Sequence, residues 1–207
     1  NESMVAADMY DFLQQFMAAH PQYSKLPFFT FGESYAGHYV PAVTHKIWEE
    51  NQKPLAPGKT HIQLEGTAIG NGLVDPLTQF RYYAEMAMST NDHAPAVSNL
   101  THALMVSGIA PCIAAIKACQ KAPATCILAI DTCNIGQLIP YTLSGMNPYD
   151  MRVKCAKPPL CYDFSNVKTF LERTDVKAAI GVPADRHWAD CNRAVALSFE
   201  CVKRPRS

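Results

Sequence analysis

The stretch Gly32-Glu33-Ser34-Tyr35-Ala36-Gly37-His38-Tyr39 decides the fold. It follows the apolar run Phe28-Phe29-Thr30-Phe31 and precedes a segment with helical character from about Tyr39 to Glu50. A strand, a serine flanked by small residues and a helix together describe a nucleophile elbow. So sharp a bend leaves little room beside the serine, which accounts for Gly32, Ala36 and Gly37. The bend lifts the Ser34 hydroxyl clear of a sheet and aims the first N–H groups of the helix at whatever binds beside it. The fifth position is Ala36, where the general Gly-x-Ser-x-Gly form has glycine. The alternative is a serine in an ordinary strand-to-helix turn.

Working outward, Val5, Met9, Phe12, Leu13, Phe16 and Met17 recur at helical spacing after Ser3, a candidate cap. His20-Pro21 ends that helix. Pro54 to Gly58 is a turn cluster, and residues 62–69 form the next candidate core strand, ending at Asn71-Gly72. Helix, strand, helix, strand in this order is a parallel crossover unit. Asn71 fits the turn position of Asn-Gly. After Asp75 the composition changes to helical stretches, prolines and cysteines, with no convincing further strand. Helices are expected at Thr78–Met88, Pro95–Val106, around the cysteines, and at Asn166–Glu172. The chain thus divides into residues 1–74, carrying the elbow, and residues 75–207, a helical insertion with a basic tail.

The 207 residues suffice for a buried core in one or two domains. Lys plus Arg number 18 and Asp plus Glu 18, a balance that argues against nucleic acid or an anionic membrane as main partner. No apolar run reads as long enough to span a bilayer. No signal peptide is read in these residues, but the chain starts at Asn1, not Met, which leaves open one removed or never included. Eight cysteines suggest an oxidising compartment. Cys112, Cys119, Cys126 and Cys133 fall every seven residues, so each neighbouring pair shares a helix face. Two short helices joined near residues 121–125 would gather all four. Nested pairing, Cys112 with Cys133 and Cys119 with Cys126, is the simplest hairpin connectivity, and the outer loop would contribute roughly 3 kcal/mol. Zinc is the competing reading, without the usual Cys-x-x-Cys spacing. Cys155 and Cys161 bracket Pro158-Pro159 and could close a small loop; Cys191 and Cys201 could pair with each other. Asn99-Leu100-Thr101 is a glycosylation sequon, with Asn99 as acceptor, and Asn1-Glu2-Ser3 is a second.

Gly-Glu-Ser-Tyr-Ala-Gly at 32–37 resembles the serine carboxypeptidase family. So do Ile69-Gly70-Asn71-Gly72-Leu73-Val74-Asp75-Pro76, Asn134-Ile135-Gly136-Gln137-Leu138 before Pro140-Tyr141, and Asn147-Pro148-Tyr149-Asp150-Met151-Arg152. The resemblance runs from near Asn1 to about Phe199. It implies an α/β fold: part of an α/β-hydrolase core (strand, nucleophile elbow, helix, strand) bearing a helical, disulfide-rich cap insertion. It implies the same nested pairing of the four cysteines, and for Cys191 a partner upstream of residue 1; Cys201 matches no family cysteine.

The resemblance also implies roles. Ser34 would attack a carbonyl carbon once a base removes its proton. The Tyr35 N–H would form half of an oxyanion hole, and its ring would line the pocket or simply pack. Glu33 would bind the free carboxylate of a peptide end. An acid there helps only when protonated, a state that burial and a second acid favour, so peptide hydrolysis would have an acidic optimum. The alternative for Glu33 is a solvated turn residue. Leu73, Phe80 and Tyr83 match positions of an apolar substrate pocket, though Leu73 and Phe80 also suit a core. Asn71 matches a family position near the site.

A serine triad needs a histidine and an acid, which follow the serine in this fold. His187, in Asp185-Arg186-His187-Trp188, matches the cap and not the base, and His38 follows Ser34 too closely. The family's glycine-rich oxyanion loop would precede Asn1. The expectation is a central portion of a carboxypeptidase, inactive alone, whose partners are peptide C-termini and the remaining N- and C-terminal parts of the same protein. No cofactor or metal is expected. The resemblance and the cysteines imply the secretory pathway, ending in a lysosome, vacuole or the extracellular space. An acyltransferase on the same scaffold, or a binding protein without the chemistry, are the alternatives.

Overall fold

The computed structural model describes residues 1–89, 93–158 and 161–192. Pro159, Cys201 and the basic tail from Val202 lie outside the described residues. The architecture is mixed α/β with a disulfide-bonded helical region. By packing, the chain forms two compact units, Asn1–Gln79 and Phe80 onward.

The first unit is a parallel crossover. Helix α1 (Glu2–Ala19) leads to strand β1 (Phe28–Glu33), helix α2 (Ala36–Asn51) and strand β2 (Leu64–Gly70). The two strands pair in parallel, with Thr30 opposite Thr67 and Gly32 opposite Ile69. Asn1, rather than Ser3, caps α1, accepting the Met4 N–H at 3.0 Å. The core cluster joins Ala6, Tyr10 and Leu13 of α1 to Val43, Ile47 and Ile62. The buried face of α1 is therefore rotated from the apolar stripe read in the sequence: Met9 and Phe12 are exposed, while Gln14 is buried. Gln14 earns that place by hydrogen bonding. Its Nε2 donates to the Thr60 carbonyl at 2.9 Å and its Oε1 accepts the Thr60 N–H at 2.8 Å. On the face of β1 covered by α2, Thr30 Oγ1 meets Thr44 Oγ1 at 2.6 Å and Thr67 Oγ1 at 3.0 Å. Phe29 and Phe31, alternating to the opposite face, are exposed. Short helix α3 (Pro76–Gln79) closes the unit.

The second unit is mainly helical. The helix expected over 78–88 is interrupted: after α3, a turn precedes α4 (Tyr83–Met88). The expected helix over 95–106 starts at Asn99, where Ser98 caps it through the Thr101 N–H, and runs on as α5 (Asn99–Lys121) through Pro111. The first cysteine pair thus belongs to one long helix. Among the described residues α5 is long and apolar enough, by length and composition only, to cross a membrane, which corrects the reading of no such run. Its charged and polar residues are too sparse to interrupt the apolar stretch, but length and composition alone do not make a span. After α5 come α6 (Cys126–Cys133), a π-helical turn (Asn134–Leu138) and α7 (Ile139–Leu143).

Disulfides join Cys112 to Cys133 and Cys119 to Cys126, so these four thiols are occupied covalently and the zinc reading is set aside. A third joins Cys155 to Cys161. Cys191 is exposed and has no disulfide partner among the described residues. Where α5 crosses the π-helical turn, Gly108 and Gly136 touch: a Cβ on Gly108 would lie 2.6 Å from the Gly136 backbone. Beside them the buried Gln137 donates from Nε2 to the Met105 carbonyl at 2.6 Å. A second core gathers Ala84, Ala87, Ala96, Val97, Met105 and Tyr141. Contrary to the expectation of no strand after Asp75, β3 (Met146–Asn147) and β4 (Asp150–Lys154) form an antiparallel hairpin. It is legible only in three dimensions, since β3 is two residues long and is held by the Tyr141 hydroxyl donating to the Asn147 carbonyl at 3.1 Å. Helices α8 (Ser165–Leu171) and α9 (Thr174–Ala179) follow.

Candidate active site

The elbow begins with backbone geometry. Ser34, between β1 and α2, has φ of 60°, in the left-handed region that non-glycine residues adopt at a cost. Hydrogen bonds hold it there. The Ser34 N–H donates to the Gly70 carbonyl at 3.1 Å, at the end of the neighbouring strand. Its own carbonyl accepts the Gly37 N–H at 3.0 Å and the Leu73 N–H at 2.9 Å. The side chain is exposed and has no hydrogen-bond partner among the described residues.

The small residues around the bend are required by space. A Cβ on Gly32 would come within 2.4 Å of Ala36 Cβ and 2.7 Å of Val40 Cγ2. A Cβ on Gly37 would lie 2.4 Å from the Leu73 carbonyl oxygen. The elbow therefore packs directly on the loop that leaves β2. Asn71 occupies that loop with φ of 45°, a turn conformation that suits asparagine. Gln79 closes it, accepting the Val74 N–H at 2.9 Å and donating to the Gly72 carbonyl at 2.7 Å.

Tyr35 follows Ser34 at the head of α2 and is half-buried. Its ring stacks on His38, centroids 5.1 Å apart and planes 12° off parallel, and meets Tyr39 edge-on at 5.0 Å. Its hydroxyl donates to Glu2 Oε1 at 2.9 Å. Burial, then the Glu2 carboxylate, push the Tyr35 phenol far up, so it stays protonated and able to donate. Burial works against ionisation of Glu2, but its own backbone N–H, the Tyr35 hydroxyl and the nearby His38 together hold its carboxyl below the usual range. Neither Glu2 nor the His38 stack was legible beforehand: Glu2 lies 33 residues from Tyr35 and shares no local spacing with it.

Glu33 is exposed, on the uncovered face of β1 with Phe29 and Phe31. The burial expected of it is not supplied by the described residues. Leu73 is brought against the elbow by its backbone, as described. Phe80 and Tyr83 belong to the second unit, where their rings meet at 4.8 Å. Tyr83 also packs on the second core, and burial raises its phenol pKa. His38 keeps Nδ1 buried without a hydrogen-bond partner among the described residues. His45 faces Glu49 at 3.7 Å, and His187 Nδ1 lies 3.2 Å from Glu172 Oε2 in the second unit. None of these three imidazoles is hydrogen-bonded to Ser34. Asn99 is exposed as the first residue of α5.

The chain can be set beside known proteins. It is 40% identical over 197 residues to serine carboxypeptidase 3 of Hordeum vulgare, covering 94% of this chain and 37% of that protein. It is 33% identical over 202 residues to carboxypeptidase Y homolog A of Ajellomyces capsulatus, covering 96% of this chain and 36% of that one. The chain thus spans little more than a third of the length of these relatives. In fold it is similar to the crystal structure of Kex1(Δ)p, a prohormone-processing carboxypeptidase from Saccharomyces cerevisiae. That likeness has a TM-score of 0.70 at 23% identity and covers 95% of this chain and 43% of that one. The serine carboxypeptidase profile matches residues 1–205, and with the elbow, the Gly37–Leu73 packing and the nested disulfides in place, the chain belongs to the serine carboxypeptidase family.

Proposed function

We propose that this chain carries the nucleophile of a serine-type carboxypeptidase that removes C-terminal residues from peptides at acidic pH. Ser34 Oγ attacks the carbonyl carbon of the last peptide bond, an acyl-enzyme forms, the terminal residue leaves, and water releases the acyl group. The observation that carries the reading is an exposed serine hydroxyl at a left-handed bend, its carbonyl fixed by the Gly37 and Leu73 amides. The Tyr35 N–H supplies half of the oxyanion hole. Glu33 receives the free carboxylate of the substrate, and the Tyr35 ring and Leu73 contribute to an apolar pocket for the residue before the scissile bond.

The chain spans little more than a third of its relatives' length, and the general base, its orienting acid and the rest of the oxyanion hole belong, in this reading, to the remaining parts. The helical second unit is an insertion in the sequence of a hydrolase core. Three disulfides favour an oxidising compartment, in keeping with the secretory pathway and with a lysosomal, vacuolar or extracellular destination. Exposed Asn99 is its glycan acceptor, which loss of a mobility shift in Asn99→Gln after secretion would test.

The decisive experiment is fluorophosphonate labelling of the full-length protein and of this chain, followed by peptide mapping. Label on Ser34 of the full-length protein, abolished by Ser34→Ala, is the expected result; label elsewhere or nowhere rejects the reading. For Glu33, hydrolysis of a peptide is compared with that of its C-terminal amide across pH. Glu33→Ala should impair the free acid alone, and equal loss on both substrates removes Glu33 from carboxylate binding.

A further inference from the structure

We propose that Gln79 is a positioning residue that acts through Leu73 to orient the peptide group between Ser34 and Tyr35; this rests on Ser34 being the nucleophile and the Tyr35 N–H an oxyanion donor. A peptide group is planar and trans, so its C=O and N–H point in opposite directions and turn together. Whatever holds the Ser34 carbonyl therefore also aims the Tyr35 N–H. Among the described residues, two donors hold that carbonyl. The Gly37 N–H, at 3.0 Å, comes from the first turn of α2 and moves with the elbow. The Leu73 N–H, at 2.9 Å, comes from the loop after β2 and ties the peptide group to a different element.

Leu73 is in turn gripped on both sides by one side chain. Gln79 Nε2 donates to the Gly72 carbonyl at 2.7 Å, and its Oε1 accepts the Val74 N–H at 2.9 Å. The Gly72 carbonyl and the Leu73 N–H are the two ends of one planar peptide group. The contacts therefore run in series: from the Gln79 amide to the Gly72 carbonyl, across that peptide to the Leu73 N–H, to the Ser34 carbonyl, and across a second peptide to the Tyr35 N–H. Hydrogen bonds in such a chain polarise one another, so Gln79 strengthens the last donor as well as aiming it. An amide suits the place because it donates at one atom and accepts at the other, where a carboxylate only accepts and a hydrocarbon does neither. The side chain is mounted on α3, where the Gln79 N–H donates to the Asp75 carbonyl at 2.9 Å. The loop it holds lies against the elbow: a Cβ on Gly72 would come within 3.4 Å of Gly37 Cα.

The test uses the full-length protein and the rate at which a fluorophosphonate labels Ser34, taken for each variant as a ratio to the unsubstituted protein at the same pH. Gln79→Leu makes neither bond and should slow labelling about tenfold at every pH, short of the roughly 10²-fold or more that removing an oxyanion donor costs. Gln79→Glu separates orientation from packing, because its carboxyl changes hydrogen-bonding capacity with pH. Ionised, it accepts the Val74 N–H but sets an oxygen against the Gly72 carbonyl, so labelling should be slow near neutral pH. Protonated, it donates to that carbonyl and accepts from Val74 at once. The ratio should therefore return toward one as pH falls to about 4.3, the ordinary glutamate value, with a midpoint raised by the facing carbonyl. Asp75, the titratable side chain of the same loop, accepts from the Leu77 N–H and the Thr78 hydroxyl. It is the same in every variant, as are Glu33 and His38 at the elbow, so all three cancel from the ratio. Circular dichroism confines the comparison to pH values at which each variant is folded, and Gln79→Glu, matched in size, carries the test alone if Gln79→Leu does not fold. A Gln79→Glu ratio that stays near one at neutral pH, or stays low on acidification, overturns the role of Gln79 and leaves the nucleophile reading standing. Failure of the unsubstituted protein to label at Ser34 overturns the nucleophile reading, and this one with it.

Discussion

The backbone of Leu73 lies so close to Gly37 that a methyl group at Gly37 would come within 2.4 Å of the Leu73 carbonyl oxygen and 2.9 Å of its nitrogen. The same Leu73 N–H donates to the Ser34 carbonyl at 2.9 Å. The loop after β2 and the turn after β1 are thus one packed unit, and the serine's geometry depends on a missing side chain at the second residue of the helix. Backbone atoms cannot rotate aside as a side-chain end can, so overpacking here must shift the elbow.

Gly37→Ala should therefore destabilise the protein by about 1–3 kcal/mol and slow labelling of Ser34. Gly58→Ala is the comparison. Gly58, unlike Gly37, has positive φ, 78°, and nothing lies within 4 Å of its added Cβ. Its cost should be confined to the backbone preference, about 1–2 kcal/mol, with labelling unchanged. Chemical denaturation of both variants, with labelling rates, separates close packing from conformational preference. Equal labelling in the two would show that the Gly37–Leu73 contact does not shape the elbow.

The disulfides allow an ordered prediction. Cys112–Cys133 closes 21 residues and Cys119–Cys126 closes seven. In the chain-entropy account the outer bridge contributes about 3 kcal/mol and the inner about 1 kcal/mol less. Replacing each pair with alanine should lower stability in that order. The gap should widen because Cys112 and Cys133 are both buried, so their truncation also leaves space in the core. A larger loss from the inner pair would contradict the ordering.

What was legible in the sequence follows from the range of the interaction. The elbow, the crossover order and the cysteine hairpin are local patterns: a bend that demands small residues, a strand-helix alternation, a seven-residue spacing. The helix expected over Pro95–Val106 begins instead at Asn99, where Ser98 supplies the cap, and it runs on to Lys121 with Pro111 inside it. The β3–β4 hairpin escaped because its short strand is stabilised by a tyrosine hydroxyl from a preceding helix. Glu2 at Tyr35 escaped for the same reason: a hydrogen bond between separate helices leaves no periodicity to read. The burial expected of Glu33 was inferred from chemistry, and no strand or helix among the described residues provides it.

Gln14 carries a further prediction, since an amide on the core face of α1 contradicts the apolar stripe. Its side chain satisfies both the N–H and the carbonyl of Thr60, which approach it from the segment leading into β2. Gln14→Leu improves hydrophobicity but leaves two backbone groups without partners. The expected net loss is about 1–3 kcal/mol, against the gain a hydrophobic count alone would give. Denaturation midpoints of Gln14→Leu and Gln14→Ala decide it. A leucine variant more stable than the original protein would mean that Thr60 finds water or another partner at no cost.

Glu172 offers a test by pH. Its carboxylate accepts from Lys177 Nζ at 2.7 Å, from the Trp188 N–H at 2.6 Å and from His187 Nδ1 at 3.2 Å, so it clasps the segment around Trp188 to α8 and α9. Hydrogen bonding from Lys177, then from the Trp188 backbone, holds its pKa down at about 2. A carboxyl whose folded pKa is depressed stabilises the fold above its ordinary pKa and loses that contribution as pH falls toward the folded value. The clasp should therefore be intact at neutral pH, weaken below about 4.5, the ordinary carboxyl pKa, and open as pH nears about 2. With Trp48 replaced by phenylalanine, Trp188 is the remaining tryptophan and its fluorescence reports the opening. Glu172→Gln should show the opened spectrum's change already at neutral pH and little further change on acidification. A Trp188 signal that titrates identically with and without the carboxylate would show that some other group holds the segment.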